Sequence, residues 1–559
     1  MDNQHLIDTT KNDFSNDLFL NTFQRIYENS AEEFASAIDR ISQLYCENLY
    51  WWVSLTASRS TIKSSLYKEF CLIKSIRHTS SLHGTKFSFI VSSAEIKKIL
   101  NHSIGASCPE IIIKPNKGGL FEELKSAVRP YYFFLNKLLH LLLIKIKFSK
   151  LNYHSPITLA EVFLSPTENY DRYYPDLETF LDFETNKNIF FVPTIINTNL
   201  WSLARVLQQI EPHRQKYFFR ELYLSLSDLK EAMQYQEKFL DMQNDKLQHN
   251  SLNQDKELEY LICSSLKNEP FNSMSAEGIL NFKFLQNLRE DKGVDILTFI
   301  DWWENTPMDR GLNLALNLFH PETKSKGYMG FVPNKYSFQL SPSQQERICK
   351  VVPESIGVIG EDFIPILKRY DQNINVFVAP AFRYRHLNNS YTKDQKYFLI
   401  LPSIHPGESQ EMIKIIIKIA VSFPSINFVI KPHPGAGKLS IFRNQIKLKN
   451  IRIESKSSAD KLLQHAQILI TSSPSAALEG IVRRIPAFVL NHANLIPNNI
   501  IPDSISKKLW KAFDDAEGLE AAIKKFQDRQ IGSNNQKDGI KISNYFNLPT
   551  QQNVDSFFK

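Results

Sequence analysis

Three short apolar runs with helical patterns between them are the feature that most constrains the fold of this chain. They cover residues 427–430, 467–470 and 486–490, and this alternation is typical of parallel βαβ units. Polar residues directly follow the first two runs. Because ligands bind at the carboxyl ends of the strands in such sheets, we expect both polar clusters to contact one ligand.

The two polar clusters contain groups that can bind a phosphate. The first is Lys431-Pro432-His433-Pro434, and the second is Thr471-Ser472-Ser473 at the start of a helix. Hydroxyls and free N–H groups at a helix N-terminus bind anions. The predicted phosphate- and nucleotide-binding residues are Lys431, His433, Pro434, Thr471, Ser472, Ser473 and Glu479. The alternative is a strand-end turn and an ordinary N-cap, with Glu479 as a helix-packing carboxylate.

These clusters resemble the C-terminal half of GT-B glycosyltransferases. The similarity is greatest to enzymes that use CMP-activated acidic sugars, the bacterial sialyltransferases and the Kdo transferases of capsule and lipopolysaccharide synthesis. A His-Pro motif and a Ser or Ser-Ser motif hold the nucleotide phosphate in those enzymes, which implies this role for His433-Pro434 and Ser472-Ser473. Leu49-Tyr50-Trp51-Trp52 and the stretch 381–387 further resemble a family of bacterial surface carbohydrate biosynthesis proteins.

The resemblance implies a GT-B architecture, an α/β fold in which two Rossmann-like domains face a cleft. We expect an N-terminal helical preface at 1–75, a Rossmann-like acceptor domain with helical insertions at 76–390, a Rossmann-like nucleotide-sugar domain at 391–530 and a polar tail at 531–559. Runs at 86–91 and 111–113 are predicted to be the first strands of the acceptor domain. The tail is expected either to fold back as a helix onto the first domain or to remain disordered.

Length and charge narrow the class of protein. A chain of 559 residues is too long for a single core and suits two or three domains. Its net charge of +7 favours acidic substrates or an anionic membrane, and no nucleic-acid-binding signature accompanies it. From the polar residues at the start of the sequence we expect no signal peptide.

Five cysteines are scattered along the chain without a Cys-x-x-Cys pair: Cys46, Cys71, Cys108, Cys263 and Cys349. Their odd number and their spacing argue against a disulfide framework and against a zinc site. They favour a compartment in which thiols stay reduced. We therefore expect a cytoplasmic protein, with the inner face of the cytoplasmic membrane as one option.

A catalytic carboxylate is expected from the acceptor domain. Asp301 and Glu304 follow an apolar run and flank two tryptophans, and both are expected to line an open cleft. The alternative for Asp301 is the N-cap of the next helix. No Asp-x-Asp motif stands convincingly at a strand end, so we predict a metal-independent enzyme without a cofactor. Cationic groups, hydroxyls and a helix N-terminus would replace the metal.

Two basic features are candidates for binding an acidic sugar. Arg383, Arg385 and His386 form a compact patch beside Tyr384, and an arginine fork suits a sugar carboxylate. A salt-bridge role at the domain hinge is the alternative for this patch. Arg59, among hydroxyl residues, is expected either to bind an acceptor or to lie on a solvated helix face.

The segment 130–150 is strongly apolar and is interrupted by lysines. Its uninterrupted apolar runs are far shorter than the ~20 residues that a membrane span needs. It is expected either to lie at an anionic membrane interface or to form a buried interdomain helix.

The leading functional hypothesis is transfer of a nonulosonic-type acidic sugar (Kdo-, sialic- or legionaminic-like) from a CMP donor. The acceptor would be a bacterial surface glycan, in the O-antigen of lipopolysaccharide or in a capsule. The expected partners are the nucleotide sugar, the glycan acceptor and an anionic membrane surface, without nucleic acid. The alternatives are a CDP-polyol phosphotransferase of the teichoic-acid type, a UDP-sugar epimerase of the GT-B type, and a catalytically inactive GT-B scaffold in envelope glycan assembly.

Overall fold

The computed structural model describes residues 5–10, 14, 16–81, 87–104, 110–114, 119–150, 156–165, 170–195, 200–246, 257–291, 294–388, 396–403, 406–433, 448–472, 474–491, 501–532 and 541–559. The chain forms two compact units. The first contains Met1–Val358, Ile364–Phe382 and Pro549–Lys559, and the second contains Ile359–Phe363 and Arg383–Leu548.

A small parallel sheet begins the first unit. Its strands are β1 (His5–Asp8), β2 (Phe87–Val91) and β3 (Glu110–Ile113), in the order β1-β2-β3. The segment that the sequence predicted as a helical preface therefore also contains a strand. The apolar runs at 86–91 and 111–113 form this separate sheet with β1, whereas the sequence analysis expected them to begin the large sheet.

The large sheet of the first unit has six parallel strands in the order β5-β4-β6-β7-β8-β9. They are β4 (Ile157–Leu164), β5 (Ile189–Ile195), β6 (Ile296–Asp301), β7 (Lys324–Met329), β8 (Ser355–Val358) and β9 (Val376–Val378). The strand order reverses between β4 and β6, which are neighbours in the sheet although β5 separates them along the chain.

Helices make up most of the remaining first unit. They are α1 (Asp17–Asn29), α2 (Ala31–Leu44), α3 (Leu49–Trp52), α4 (Leu55–Ser58), α5 (Leu66–Ser80), α6 (Ala94–Ile104), α7 (Gly119–Lys147), α8 (Phe183–Lys187), α9 (Leu200–Ile210), α10 (Leu226–Met233), α11 (Tyr235–Lys246), α12 (Glu257–Lys267), α13 (Ser273–Glu290), α14 (Pro307–Phe319), α15 (Gln344–Ile348) and α16 (Ile364–Leu367). Short 3-10 turns lie at Tyr170–Arg172, Leu177–Thr179, Glu211–Lys216, Arg220–Leu222 and Phe338–Leu340.

A disulfide joins Cys46, which follows α2, to Cys349, which follows α15. The cysteine pattern argued against a disulfide framework, and it gave no indication of this one bond. Their separation of 303 residues explains why spacing gave no signal, because only the fold brings them together. Disulfides are rare where thiols are kept reduced, so the cysteine argument for a reducing compartment no longer holds.

The second unit has its own sheet of six parallel strands, in the order β12-β11-β10-β13-β14-β15. They are β10 (Tyr397–Leu401), β11 (Phe428–Ile430), β12 (Ile451–Ile453), β13 (Ala466–Thr471), β14 (Ala487–Leu490) and β15 (Trp510–Phe513). The helices are α17 (Pro406–Ser422), α18 (Ala459–Leu463), α19 (Pro474–Val482), α20 (Ala516–Gly532) and α21 (Ile542–Tyr545), with 3-10 turns at Glu361–Phe363 and Phe382–Asn388.

Alternate residues of β10 belong to two different hydrophobic clusters. Phe398 and Ile400 pack with apolar residues of α17 and α20. Tyr397, Leu399 and Leu401 pack with residues of α18. A strand that is buried on both faces gives a continuous apolar run in the sequence, which is why this sheet was readable from the sequence.

The C-terminal helix α22 (Gln551–Phe558) belongs to the first unit. The Lys326 Nζ donates a hydrogen bond to the Phe557 carbonyl over 2.8 Å, and the ring centroids of Phe557 and Tyr328 lie 5.1 Å apart. Of the two alternatives for the tail, these residues therefore adopt the folded-back helix. Residues 533–540 of the tail lie outside the described part of the chain.

The two parallel six-stranded sheets confirm the predicted α/β class with two Rossmann-like domains and an N-terminal helical region. No helix within the described ranges is long and apolar enough to cross a membrane.

Candidate functional site

The carboxyl ends of β10, β11 and β13 form the candidate site of the second unit. Numbered along the chain, the strands of this sheet run 3-2-1-4-5-6, so the order reverses between β10 and β13. Ligands bind at such reversal points in open α/β sheets. Ile400 on β10 pairs with Ile430 on one side and with Ile470 on the other. The residues that follow these three strands therefore meet at one edge of the sheet.

The end of β13 presents hydroxyl groups at the start of α19. Thr471 is buried, and its Oγ1 donates a hydrogen bond to the Leu401 carbonyl over 2.7 Å. Ser472 is only 3% exposed, and among the described residues its hydroxyl has no hydrogen-bond partner. A buried hydroxyl of this kind costs free energy unless a ligand or a water satisfies it. Together with the N-terminus of α19, Ser472 suits an anionic ligand.

The end of β11 places a cation beside this edge. The Lys431 backbone N–H donates to the Ile400 carbonyl over 2.9 Å, and Lys431 is half-buried. Its Nζ donates to the Ser455 carbonyl over 2.9 Å. Pro432 is buried and His433 is exposed. Lys431 therefore follows β11 at the same edge of the sheet as Ser472, and its ammonium group is bound on the β12 side, since Ser455 follows β12.

Pro434 and Ser473, the two remaining members of the predicted motifs, lie outside the described residues. Their predicted contacts with the phosphate stay predictions.

Glu479 and His386 are brought together in the second unit. His386 Nε2 lies 3.0 Å from Glu479 Oε2 and 3.9 Å from Asp460 Oδ1, and Asp460 is in turn paired with Arg483. The sequence analysis assigned Glu479 to the nucleotide and His386 to the sugar carboxylate. The structure shows that these side chains bind each other, which corresponds to the salt-bridge alternative for His386. The contact fixes one face of α19, the helix whose N-terminus lies at the candidate site.

Arg383 and Arg385 lie on the same 3-10 turn as His386 and are half-buried. The Tyr384 ring between them is buried and its centroid lies 4.4 Å from that of Phe546. The turn is therefore held by packing. Binding of a sugar carboxylate by the two arginines stays a prediction.

In the first unit, Asp301 is the last residue of β6 and is 1% exposed. Asn313 Nδ2 donates to its Oδ2 over 2.8 Å. Buried Glu161 and Asp309 contribute carboxylate oxygens that, with one from Asp301, all lie within 4.8 Å of one another. The expectation that Asp301 lines an open cleft is therefore wrong. Asp309, and not Asp301, caps the next helix by accepting from the Thr306 backbone N–H over 2.6 Å.

Burial sets the protonation of this carboxyl cluster. Desolvation raises the pKa of Glu161 to about 7. It also raises the pKa of Asp301 and Asp309 well above the ordinary value, and the negative charges of neighbouring carboxyls add to the effect. Burial thus favours the protonated forms of these carboxyls. The spacing also suits a shared cation, whose binding would have to displace those protons.

Sequence reasoning missed Glu161 and Asp309. Glu161 lies on β4, a strand the sequence analysis did not predict. Asp309 had a recognisable signal in the sequence, because Thr306-Pro307-Met308-Asp309 matches a capping box with proline at the first helical position, and the Thr306 backbone N–H donates to the Asp309 carboxylate.

Glu304 is exposed, in contrast to Asp301. Trp302 Nε1 donates to Glu304 Oε1 over 3.3 Å. Of the two predicted catalytic carboxylates, only Glu304 is open to a substrate in the first unit.

Arg59 occupies neither of the positions predicted for it. It is 2% exposed and forms an ion pair with Glu346, which also binds Arg310. Its guanidinium lies 5.2 Å from the centroid of the Tyr370 ring. Arg59 is thus part of a buried ionic cluster, and neither acceptor binding nor a solvated face describes it.

The chain is similar to several solved structures at low sequence identity. The UDP-GlcNAc 2-epimerase of Methanocaldococcus jannaschii, in complex with UDP-GlcNAc and UDP, is 13% identical; the match covers 72% of this chain and 98% of that one, with a TM-score of 0.37. The glycotransferase of kitacinnamycin is 14% identical, with coverages of 72% and 94% and a TM-score of 0.37. MurG of Acinetobacter baumannii is 10% identical, with coverages of 67% and 92% and a TM-score of 0.34.

These neighbours are matched over most of their own length, but TM-scores below 0.5 decide neither the reaction nor the donor of this chain. No protein-family model matches the chain, and no curated protein matches its sequence.

Proposed function

We propose that the protein is a metal-independent glycosyltransferase that moves a nonulosonic-type acidic sugar from a CMP donor to a bacterial surface glycan, in lipopolysaccharide O-antigen or capsule. The observation that supports the proposal is the position of Ser472, which follows β13 at the strand-order reversal of the second sheet, while Lys431 follows β11 at the same edge. There the unpartnered hydroxyl of Ser472 and the N-terminus of α19 are available to a donor phosphate.

The chemistry required of this edge is stabilisation of a departing nucleotide phosphate. Negative charge builds on the phosphate oxygens as the bond to the sugar breaks. Fixed N–H groups, a hydroxyl and a cation are effective against such charge, because they need no reorganisation during the reaction. In the proposal, Lys431 and His433 supply positive charge or hydrogen bonds, and Ser472 and the start of α19 supply neutral donors.

The proposal assigns the acceptor proton to Glu304. Its carboxylate is exposed, whereas Asp301 is buried with a raised pKa. A base must reach the proton it removes, and Asp301 would also have to lose its own proton first.

The donor class rests on the motif resemblance, and ligand binding tests it. Melting temperatures are measured with CMP, CDP, UDP and GDP. A nucleotide present at about 100 times its dissociation constant stabilises the folded state by about 2.7 kcal/mol. We expect the largest shift with CMP. A preference for CDP would support the polyol-phosphate alternative, and a preference for UDP would reject the CMP donor.

Two variants locate the nucleotide. Lys431→Met and Ser472→Ala are expected to lose the CMP-induced shift. Lys511→Met is the matched control, since Lys511 is also half-buried but lies on β15 at the edge of the same sheet. Loss of the shift in the control as well, or its retention in both site variants, would reject the assignment.

The proposal places the reaction in the cytoplasm at the inner face of the membrane. A CMP-activated donor would be available there, and the net charge of +7 favours an anionic surface.

A further inference from the structure

Helix α7 (Gly119–Lys147) carries two apolar faces, and only one of them is covered by the first unit. The inner face is buried and packs against α10 and neighbouring elements. Its buried members are Phe133, Lys137, His140, Leu141, Ile144 and Phe148 at the helix end. A helix that is apolar all round is normally buried on all sides, so the second face requires an explanation.

The second face is a continuous exposed stripe. Its exposed members are Leu124, Val128, Tyr131, Tyr132, Leu135, Leu139, Leu142 and Ile146. At ~100° per residue these eight positions fall within an arc of about 100°, on the side opposite the buried residues. At 1.5 Å per residue the stripe is roughly 33 Å long. A contiguous apolar surface of this kind marks an interaction site.

The inner face is fixed by charges as well as by packing. Lys137 forms a buried ion pair with Glu277, which also binds Arg220. Although burial acts in the opposite direction, these two cations lower the pKa of Glu277 to about 2. Rotating α7 to bury the stripe would break this cluster, and buried ion pairs are costly to break. The stripe is thus held on the outside.

Charge indicates what covers the stripe. Helix α7 and the three residues after it, 119–150, contain six lysines and arginines against two acidic residues, Glu122 and Glu123, which gives a net charge of +4. Lys125, Arg129, Lys145 and Lys147 flank the stripe and are exposed. Lys147 and Lys150 contact Glu211 and Asp291 of the same unit, whereas Lys145 Nζ donates to the neutral Leu224 carbonyl and Arg129 is exposed. The positive charge beside the stripe therefore includes Arg129 and Lys145. Two copies of this face would bring like charges together, whereas anionic lipid headgroups complement them.

We propose that the exposed stripe of α7 is a docking surface for an anionic lipid bilayer, with the helix lying in the plane of the interface. Such a helix buries its apolar face at the boundary between headgroups and acyl chains. Tyr131 and Tyr132 suit this depth, because their rings are apolar and their hydroxyls are polar. This surface is where the proposed contact with the membrane would occur. The docking proposal does not depend on the transfer reaction.

Sedimentation with phospholipid vesicles tests the surface. The full chain is mixed with vesicles of phosphatidylglycerol and phosphatidylcholine, or of phosphatidylcholine alone, without a sugar donor. We expect most of the protein to sediment with the anionic vesicles at low salt. The bound fraction should fall severalfold when salt is raised to about 0.5 M, because surface charges are then screened. Absence of binding to anionic vesicles at low salt would overturn the proposal.

Matched variants distinguish binding through the stripe from binding through exposed apolar side chains elsewhere on the protein. The triple variant Leu135→Ser, Leu139→Ser, Leu142→Ser should lose at least about tenfold in vesicle affinity, since deep apolar side chains supply much of the binding. The control replaces three other exposed aliphatic residues that lie outside the stripe: Leu318→Ser, Ile348→Ser, Val421→Ser. The control should bind as the wild type does. Equal binding by the stripe variant, at an unchanged melting temperature, would overturn the proposal.

Charge reversal and self-association complete the test. Lys125→Glu with Arg129→Glu should weaken binding at low salt, and Lys507→Glu with Lys508→Glu, two other exposed lysines, should not. If the wild type does not bind vesicles and forms a dimer that the stripe variant lacks, a second copy covers the stripe and the lipid proposal is rejected. Failure of the transfer assay would leave vesicle binding unaffected, so the two proposals fail independently.

Discussion

His386 Nε2 lies 3.0 Å from Glu479 Oε2, which links the 3-10 turn at Phe382–Asn388 to helix α19. Both side chains are partly buried, with 27% and 18% of their surface exposed. The pair therefore connects the basic patch to the helix whose N-terminus is the proposed phosphate site. Its strength can be measured directly.

A double-mutant cycle with His386→Gln and Glu479→Gln should give a coupling of about 0.5–1.5 kcal/mol in the free energy of unfolding of the second unit. The control cycle uses Lys524 and Glu520, an exposed pair one helical turn apart, for which a smaller coupling is expected because solvent screens exposed charges. If the coupling free energy of His386 and Glu479 is no larger than that of the control pair, their contact does not stabilise the position of α19.

Stability should depend on pH through Glu161. Desolvation raises its pKa from an ordinary 4.5 to about 7, so the folded state binds the proton more tightly than the unfolded chain. The resulting stabilisation is complete below about pH 4.5 and is lost as the pH rises through about 7. Relative to Glu161→Gln, the wild type should become less stable between pH 5 and pH 8, by up to about 3 kcal/mol at 1.36 kcal/mol per pKa unit.

Denaturant unfolding of both proteins across this pH range measures the effect. Glu520→Gln is the control, because Glu520 is on the surface and its pKa is lowered by a hydrogen bond from Lys524. If the difference in the free energy of unfolding between the wild type and Glu161→Gln does not change with pH, Glu161 does not bind a proton more tightly in the folded protein than in the unfolded chain.

The second sheet was predictable because each of its central strands is buried on both faces and gives an apolar run, as 427–430 and 467–470 do. The polar strand ends were equally visible. Strand β1, His5-Leu6-Ile7-Asp8, could not be predicted from the sequence. Two of its four residues are polar or charged, and its partner β2 begins more than 70 residues later.

Long-range pairs explain the errors at the individual residues. Arg59 binds Glu346 across 287 positions, and Cys46 binds Cys349 across 303. Nothing local distinguishes a buried, paired arginine from a solvated one, or a bonded cysteine from a free one. The burial of Asp301 has the same origin, since Glu161 comes from a strand 140 positions earlier.

The buried ionic cluster should be sensitive to loss of one partner. Arg59→Met removes one of the two arginines that pair with the buried Glu346 carboxylate and leaves Arg310. Breaking a buried ion pair in this way typically costs about 3–5 kcal/mol. Arg40→Met, which removes an exposed pair with Glu259, should cost less than about 1 kcal/mol. Equal unfolding free energies for the two variants would contradict the buried cluster.

The Cys46–Cys349 disulfide should be detectable by thiol titration. The unfolded protein contains five cysteines, so a bonded pair leaves three reactive thiols without reductant and five after reduction. Closing a long loop typically stabilises a fold by about 2–4 kcal/mol, and reduction should lower the melting temperature accordingly. Five thiols in protein purified without reductant would show that this pair stays reduced.

The most direct test of the central claim is turnover of a CMP-linked acidic sugar onto a surface-glycan acceptor by the wild type and by His433→Ala. His433 is exposed at the end of β11, so the variant should keep the wild-type melting temperature. The account predicts transfer by the wild type and a loss of about a hundred- to thousand-fold in turnover for the variant, the usual effect of removing one such donor. Near-wild-type turnover by His433→Ala would contradict it.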